Sequence, residues 1–292
     1  MIPVGEDIAL VGVFGHPVGH SLSPIMHMAA IHKLGLGAIY QAFDVAPERL
    51  PEALTALRVL RFRGINLTIP HKEAALPLMD DLTDAAARVG AVNTVIRDGD
   101  RLIGDNTDGQ GYLLSLQTEL GLDPSGIRVA ILGAGGAAKA IASALLMADC
   151  AGVTIYNRDV SRAKMLCAHL KQFYNSERLG FAAIADVRGS GVDLLINTTP
   201  VGMMGHLEGM LPLDEAQIHS HMIVSDIVYR PIETSLLQRA ASRGARTHDG
   251  TGMLAYQGAL AFERWFGVMP DASLMKETLR RVLQGESRQA NN

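Results

Sequence analysis

Arg128-Val-Ala-Ile-Leu-Gly133-Ala-Gly135-Gly136-Ala-Ala138 sets an apolar run directly before a cluster of three glycines. Its apolar start, Val129 to Leu132, reads as a buried strand, and the alanine-rich run from Ala137 to Ala148 reads as a helix. The glycines between them have the spacing of a dinucleotide-binding turn. Gly133 suits the tight turn out of the strand, Gly135 lets backbone approach a pyrophosphate, and the small Ala138 permits close helix–strand packing. The amide groups and dipole of the helix N-terminus would then hold the phosphate charge. The competing reading is a glycine-rich turn with no ligand, because the motif alone is short.

The next strand, Val153 to Tyr156, runs into Asn157-Arg158-Asp159-Val-Ser-Arg162. This is where a Rossmann domain inspects the adenosine ribose: an acidic residue grips the 2′-hydroxyl of NAD, and arginine accommodates the 2′-phosphate of NADP. Arg158 and Arg162 offer planar guanidinium groups suited to a phosphate. Taken without the glycine motif, they are two solvated surface arginines. A helix is expected over Ser161 to Phe173, and strands over Asp193 to Asn197, Met222 to Ile227 and Ala245 to His248. Helical periods return at Leu254 to Phe266 and Ser273 to Leu283, with GESRQANN as a frayed end.

Upstream of the fingerprint a second alternation is visible. Strands are expected over Ile8 to Phe14, Ile39 to Val45 and Gly64 to Ile69. Helices are expected over Pro24 to Leu34, with Ser23 as N-cap, and over Pro47 to Leu60. Ala91 to Arg97 and Arg101 to Asp105 flank Asp98-Gly99-Asp100, a hairpin at one edge of the sheet. Such alternation predicts an α/β protein with a mainly parallel sheet in each half.

The 292 residues suit two domains, and an apolar content of 48% supplies full cores. A net charge of −4 speaks against nucleic acid or an anionic membrane as the main partner. Cys150 and Cys167 are too few for a disulfide framework and read as free thiols. The N-terminal stretch lacks the basic start of a signal peptide, and glycines interrupt the longest apolar tract, so a soluble cytoplasmic protein is expected. The ten histidines are scattered, and no metal site is expected.

Polar residues of the first half gather at turns. Ser21-Leu22-Ser23-Pro24 offers two hydroxyls at a helix start, either as a cradle for a small carboxylate or, more plainly, as an N-cap. Asn66-Leu-Thr68-Ile-Pro-His-Lys72 puts Asn66 and Thr68 on one face of a strand end and then presents a lysine, which on its own would be a solvated one. Asn93-Thr94 and Asp105-Asn-Thr-Asp108-Gly109 add polar groups at tight turns, where α/β proteins place ligands.

Together these motifs resemble the shikimate dehydrogenase family, which includes quinate/shikimate dehydrogenases. The resemblance is carried by Ser21-Leu-Ser-Pro24 with His27, Asn66 to Lys72, Ala91-Val-Asn-Thr94, Asp105 to Gly109 and Gly133 to Ala137. It continues through Asn157-Arg158, Asn197-Thr-Thr-Pro-Val-Gly-Met203, Asp226-Ile-Val-Tyr229 and Gly252-Met-Leu-Ala-Tyr-Gln257. It implies a substrate domain of residues 1–108 plus 250–292, a Rossmann domain of residues 109–249, and an active site in the cleft between them. It also implies reversible NADP-linked reduction of 3-dehydroshikimate to shikimate by a monomer or homodimer. Lys72 matches the family's catalytic lysine and Asp108 its partner carboxylate. Ser21, Ser23, Thr68, Asn93, Asp108, Tyr229 and Gln257 match substrate positions. Gly133, Ala134, Gly135, Gly136, Ala137, Asn157, Arg158, Arg162, Ile227, Gly250 and Asp84 match cofactor positions.

Two residues depart from the family pattern: Met28 follows His27 where asparagine is frequent, and Asp159 stands where NADP-preferring members usually have threonine. A carboxylate at 159 leaves NAD as the alternative cofactor. Other readings of the chain are a quinate/shikimate dehydrogenase, a relative acting on an aminated analogue, and a nucleotide-sensing regulator. Lys72 and Asp108 speak against the regulator, which need not keep both.

Overall fold

Short β-branched runs alternate with amphipathic helices along the whole chain, and a computed structural model, describing residues 8–204 and 213–290, folds them into two α/β units. Unit 1 comprises Met1–Gly111 and Ala255–Leu279, and unit 2 comprises Tyr112–Leu254 and Arg280–Asn292. In chain order the first elements are β1 (Ala9–Gly15), α1 (Ser23–Lys33), β2 (Ala38–Asp44), α2 (Leu50–Val59) and β3 (Gly64–Leu67). After them come α3 (His71–Ala74), β4 (Asp81–Leu82), α4 (Asp84–Val89), β5 (Thr94–Asp98) and β6 (Arg101–Asp105). There follow α5 (Asp108–Leu120), β7 (Arg128–Leu132), α6 (Gly136–Met147), β8 (Gly152–Asn157), α7 (Val160–Leu170) and β9 (Leu179–Ala183). The chain closes with β10 (Leu194–Asn197), β11 (Ile223–Asp226), α8 (Ser235–Ser242), β12 (Arg246–His248), α9 (Gly250–Phe266) and α10 (Ala272–Ala290).

The sheet of unit 1 has the order β2-β1-β3-β5-β6-β4. Strand β1 pairs in parallel with both β2 and β3, so the chain changes direction across the sheet between β1 and β3. A crevice opens at the carboxyl ends of two strands related in this way. The turns leaving β1 and β3, with the helix starts that follow them, carry Ser21, Ser23, Thr68 and Lys72. Leu50, Leu54 and Leu57, spaced as one helical face, bury α2 against Phe14, Ile65 and Leu67. Each such leucine contributes about 1.5–3 kcal/mol by leaving water.

Unit 2 holds a fully parallel sheet of order β12-β11-β10-β7-β8-β9, the doubly wound dinucleotide-binding arrangement with its crossover between β7 and β10. Both faces are covered. Ile141 and Leu145 of α6 with Leu166 and Leu170 of α7 pack on one face, and Leu236, Leu237 and Ala240 of α8 on the other. Cys150 and Cys167 are buried free thiols. Among the described residues no helix is long and apolar enough to cross a membrane.

Several details differ from the sequence expectation. The hairpin β5–β6, which turns at Gly99 with φ +61°, lies inside the sheet, because the two-residue strand β4 pairs beyond it. So short a strand has no periodicity to reveal it. The expected helix from Pro47 begins as one 3₁₀ turn, Pro47–Arg49. Strand β9 and helices α4, α5 and α8 have no counterpart in the sequence expectation; α4 and α8 are only six and eight residues long. Helix α10 continues to Ala290, through most of the stretch read as frayed; Asn291 and Asn292 lie outside the described residues.

Gly64 of β3 lies so close to the indole of Trp265 on α9 that a Cβ there would overlap both Trp265 Nε1 and Val95 O. Trp265 Nε1 donates to that same carbonyl at 3.0 Å. Gly64→Ala is therefore expected to destabilise the protein by about 1–3 kcal/mol through overpacking. A lowered midpoint in thermal or urea unfolding checks this.

Candidate active site

Asn93, between α4 and β5, is buried and organises the polar corner of unit 1. Its Nδ2 donates to Asp108 Oδ1 at 2.8 Å and to Thr107 Oγ1 at 2.9 Å, and lies 3.3 Å from Gln257 Oε1. Its Oδ1 accepts from Thr107 N at 2.8 Å. The second oxygen of Asp108 accepts from Lys72 Nζ at 2.6 Å, so both carboxylate oxygens are engaged. The Asp108 side chain is 6% exposed and that of Lys72 is 24% exposed. The pair is therefore fixed at its carboxylate end and open at its ammonium end.

The strand ends hold this corner. Asp105, at the end of β6, is buried and accepts from Thr83 Oγ1 at 2.5 Å, Asn106 N at 2.8 Å and Arg264 Nε at 3.0 Å. Asn106 Nδ2 donates to Ala91 O at 2.9 Å, and Thr107 Oγ1 donates to Gln257 O at 3.0 Å. Gly111 is required beside Gln257, whose backbone nitrogen lies 2.5 Å from the position of an added Cβ. Lys72, Asn93, Asp108 and Gln257, distant in sequence, are thus brought together within one unit.

The carboxyl ends of β1 and β3 supply the rest of that unit's candidates. Thr68 N donates to Phe14 O at 2.9 Å, and the Thr68 methyl fills the space above Gly15. Ser21 Oγ accepts from Ser23 N at 3.3 Å. The sequence predicts Ser23 as the cap of α1, and the structure corrects this. The capping position is Leu22, whose side chain makes no cap hydrogen bond, and Ser23 is the first helical residue. With Pro24 at the second helical position, one backbone donor of the first turn is already missing, so little is lost by leaving the turn uncapped.

In unit 2 the fingerprint has the conformation that its glycines require. Gly133 has φ +109°, and a Cβ there would stand 2.5 Å from Thr198 Oγ1. Around Gly135 and Gly136 an added Cβ would meet nothing within 4 Å, and the N-terminus of α6 has no side-chain cap. Ala138 is fully buried. Uncapped amides facing open space are what a pyrophosphate needs, so these residues fit a dinucleotide. Arg158 and Arg162 are exposed beyond β8, as a 2′-phosphate clamp would be.

Asp159 has another task. It is the N-cap of α7, and its Oδ1 accepts from Ser161 N at 2.9 Å and Ser161 Oγ at 2.6 Å. The Ser161 bonds hold its carboxyl below the usual carboxylate range. Asn157 Nδ2 donates to the Asp159 carbonyl at 2.9 Å. The cap accounts for an acidic residue at 159 without any ribose.

Ile227 and Gly250 are neighbours in unit 2: a Cβ on Gly250 would overlap the Ile227 carbonyl. Tyr229 is half-buried two residues on. Asp84 belongs to unit 1, where its 94%-exposed carboxylate pairs with Arg88 at 3.6 Å.

One residue that the sequence marks only as the start of the Asp226-Ile-Val-Tyr229 motif braces this loop. Asp226, at the end of β11, is 1% exposed. It accepts from Asn197 Nδ2 at 2.9 Å, Val228 N at 3.0 Å and Thr234 Oγ1 at 2.7 Å. Desolvation outweighs these bonds and pushes its carboxyl up to about 6. The folded protein therefore holds this proton more tightly than the unfolded chain does. The resulting stability is present below about pH 4 and is lost as pH rises through about 6. Asp226→Asn is expected to flatten that part of the stability curve, which chemical denaturation at a series of pH values checks.

Comparison with known proteins agrees with both halves. The family described as shikimate dehydrogenase substrate binding domain matches residues 13–95. Shikimate / quinate 5-dehydrogenase matches residues 116–199, and the shikimate 5′-dehydrogenase C-terminal domain matches residues 250–280. A protein of Geobacillus sp. (strain WCH70) named shikimate dehydrogenase (NADP(+)) is 44% identical over 276 residues, covering 94% of this chain and 99% of its own. The crystal structure of shikimate 5-dehydrogenase from Thermus thermophilus, in complex with NADP(H) and shikimate, superposes with a TM-score of 0.85. It is 41% identical, with 94% of this chain and 99% of that chain covered. The ligand-free 5-ketofructose reductase of Gluconobacter sp. strain CHM43 has a TM-score of 0.88 at 36% identity, with 95% of this chain and all of that one covered.

Proposed function

The chain belongs to the shikimate dehydrogenase family, and we propose that it catalyses the reversible NADP-linked reduction of 3-dehydroshikimate to shikimate, a step towards chorismate and the aromatic amino acids. The observation that carries this reading is the Lys72 Nζ–Asp108 Oδ2 pair at 2.6 Å, with Asn93 on the other carboxylate oxygen. Bound NADPH supplies the hydride. Negative charge then grows on the substrate's carbonyl oxygen, and the Lys72 ammonium stabilises it and passes it a proton from Nζ. Asp108 holds that ammonium aimed until the transfer. In the oxidative direction Lys72 Nζ takes the proton back from the hydroxyl.

Ser21 and Ser23 bind the substrate carboxylate in this reading, and Thr68, Asn93, Asp108, Tyr229 and Gln257 bind its ring and hydroxyls. The uncapped α1 supports the serine assignment, because no helix cap competes for the Ser23 hydroxyl. Gly133 to Ala137 hold the pyrophosphate, and Asn157, Arg158 and Arg162 the adenosine end. Ile227, Gly250 and Asp84 complete the cofactor set. The reading carries with it a cytoplasmic enzyme, monomeric or homodimeric, with small molecules as its partners.

The test is absorbance at 340 nm with shikimate and with quinate, each against NADP and NAD. Shikimate with NADP is expected to give the highest kcat/KM, and turnover of quinate alone overturns the reading. Lys72→Ala is expected to lower kcat about 10²–10⁴-fold with little change in KM for shikimate, because the lysine acts on charge that arises in the transition state. A variant keeping more than about a tenth of wild-type kcat removes Lys72 from this role. Arg158→Ala is expected to raise KM for NADP about tenfold or more, the loss of a hydrogen bond to a charged group, and to leave KM for NAD nearly unchanged.

A further inference from the structure

His27 is fully buried, and neither ring nitrogen has a hydrogen-bond partner. Burial pushes its pKa down to about 3, so the ring is neutral at physiological pH. It behaves as a flat apolar plate. Its face stacks on Tyr40 with centroids 4.1 Å apart and an interplanar angle of 6°. Phe262 and Trp265 of α9 lie at 6.2 and 5.8 Å from it. Leaving two ring nitrogens unpaired is costly, so a plain packing role would be better served by an apolar residue.

The stack fixes Tyr40, which is 1% exposed on β2. Its hydroxyl donates to Asn66 Oδ1 at 2.9 Å and lies beside the Ser23 side chain. Asn66 in turn has both Nδ2 protons committed, to Asn93 O at 3.1 Å and to Thr94 Oγ1 at 3.2 Å. The amide is thereby held with Oδ1 turned to Tyr40, and a second lone pair remains on that oxygen for a substrate hydroxyl. One phenol thus touches both the serine end and the Asn66–Asn93–Asp108 end of the candidate site.

We propose that Tyr40, held by its stack on His27, is a positioning residue that sets the orientation of the Asn66 amide for the substrate. The proposal rests on the reading that Ser23 and the Asn66 side of the corner face shikimate. Tyr40 acts on ground state and transition state alike, so its effect falls on KM and not on kcat.

The test is a double-mutant cycle with Tyr40→Phe and Asn66→Ala, using shikimate and NADP. Tyr40→Phe keeps the ring and its stack. It is expected to raise KM for shikimate about three- to tenfold, the usual effect of one hydrogen bond, with kcat within about twofold and KM for NADP unchanged. In the Asn66→Ala background Tyr40→Phe should change KM by less than about twofold, because the residue it acts through is gone. Multiplicative effects of the two substitutions overturn the proposal. So does an unchanged KM with a lowered Tm, or a Tyr40→Phe chain that does not fold, since either makes the hydroxyl a stability element alone. If instead the wild-type enzyme turns over another hydroxy acid and not shikimate, the assignment of substrate has failed, and the cycle run with that acid decides the role of Tyr40 separately.

Discussion

The buried carboxylate of Asp108 is the constraint on which the candidate site depends. A charge 6% exposed must be compensated, and this one is compensated twice, by Lys72 on one oxygen and Asn93 on the other. Asn93 can serve it only because Thr107 fixes its amide, and Thr107 stands where it does because Asp105 and Asn106 are pinned by Thr83, Arg264 and Ala91. The polar residues of this corner are therefore a single network, in which each group satisfies the next. A network of this kind is rigid when complete and costly when any member is missing. That rigidity is what a lysine needs if its ammonium is to be aimed at a developing oxyanion.

Both units use the same topological device. In unit 1 the chain crosses from one side of β1 to the other at β3, and in unit 2 it crosses at β7 and β10. At each crossing two neighbouring strands send their connections in opposite directions, and the carboxyl ends are left open. Ser21, Ser23, Thr68 and Lys72 occupy the first opening, and Gly133 to Ala137 with Thr198 the second. One opening is lined with hydroxyls and a lysine, the other with glycine amides, a division suited to a polar substrate and a phosphate ester.

Helix termini bear on two places where a local motif has two readings. Ser23 has the residue type and position of an N-cap, yet Leu22 occupies that position and Ser23 is the first residue of the helix itself. Asp159 has the residue type and position of a ribose-binding acid, yet its Oδ1 is spent on the first turn of α7. Serine and aspartate accept backbone N–H bonds and bind ligands with the same atoms. Which of the two they do is settled by whether another group already fills the role.

The two α/β halves, the dinucleotide turn and the polar residues at the turns are legible in the sequence, because periodicity, glycine spacing and turn chemistry are local properties of the chain. Lys72, Asn93, Asp108 and Gln257 were nameable from their motifs. That Asn93 is the hub joining them is a long-range fact, carried by bonds between residues up to 164 positions apart. The same is true of Asp226, whose burial depends on neighbours from β10 and α8, and of the two-residue strand β4. Tyr40 and His27 were only an apolar strand residue and a member of a motif until the fold stacked one ring on the other. Local sequence sets which atoms are present and which backbone turns are allowed. Only tertiary packing decides which of those atoms lose water together, and hence which must pair.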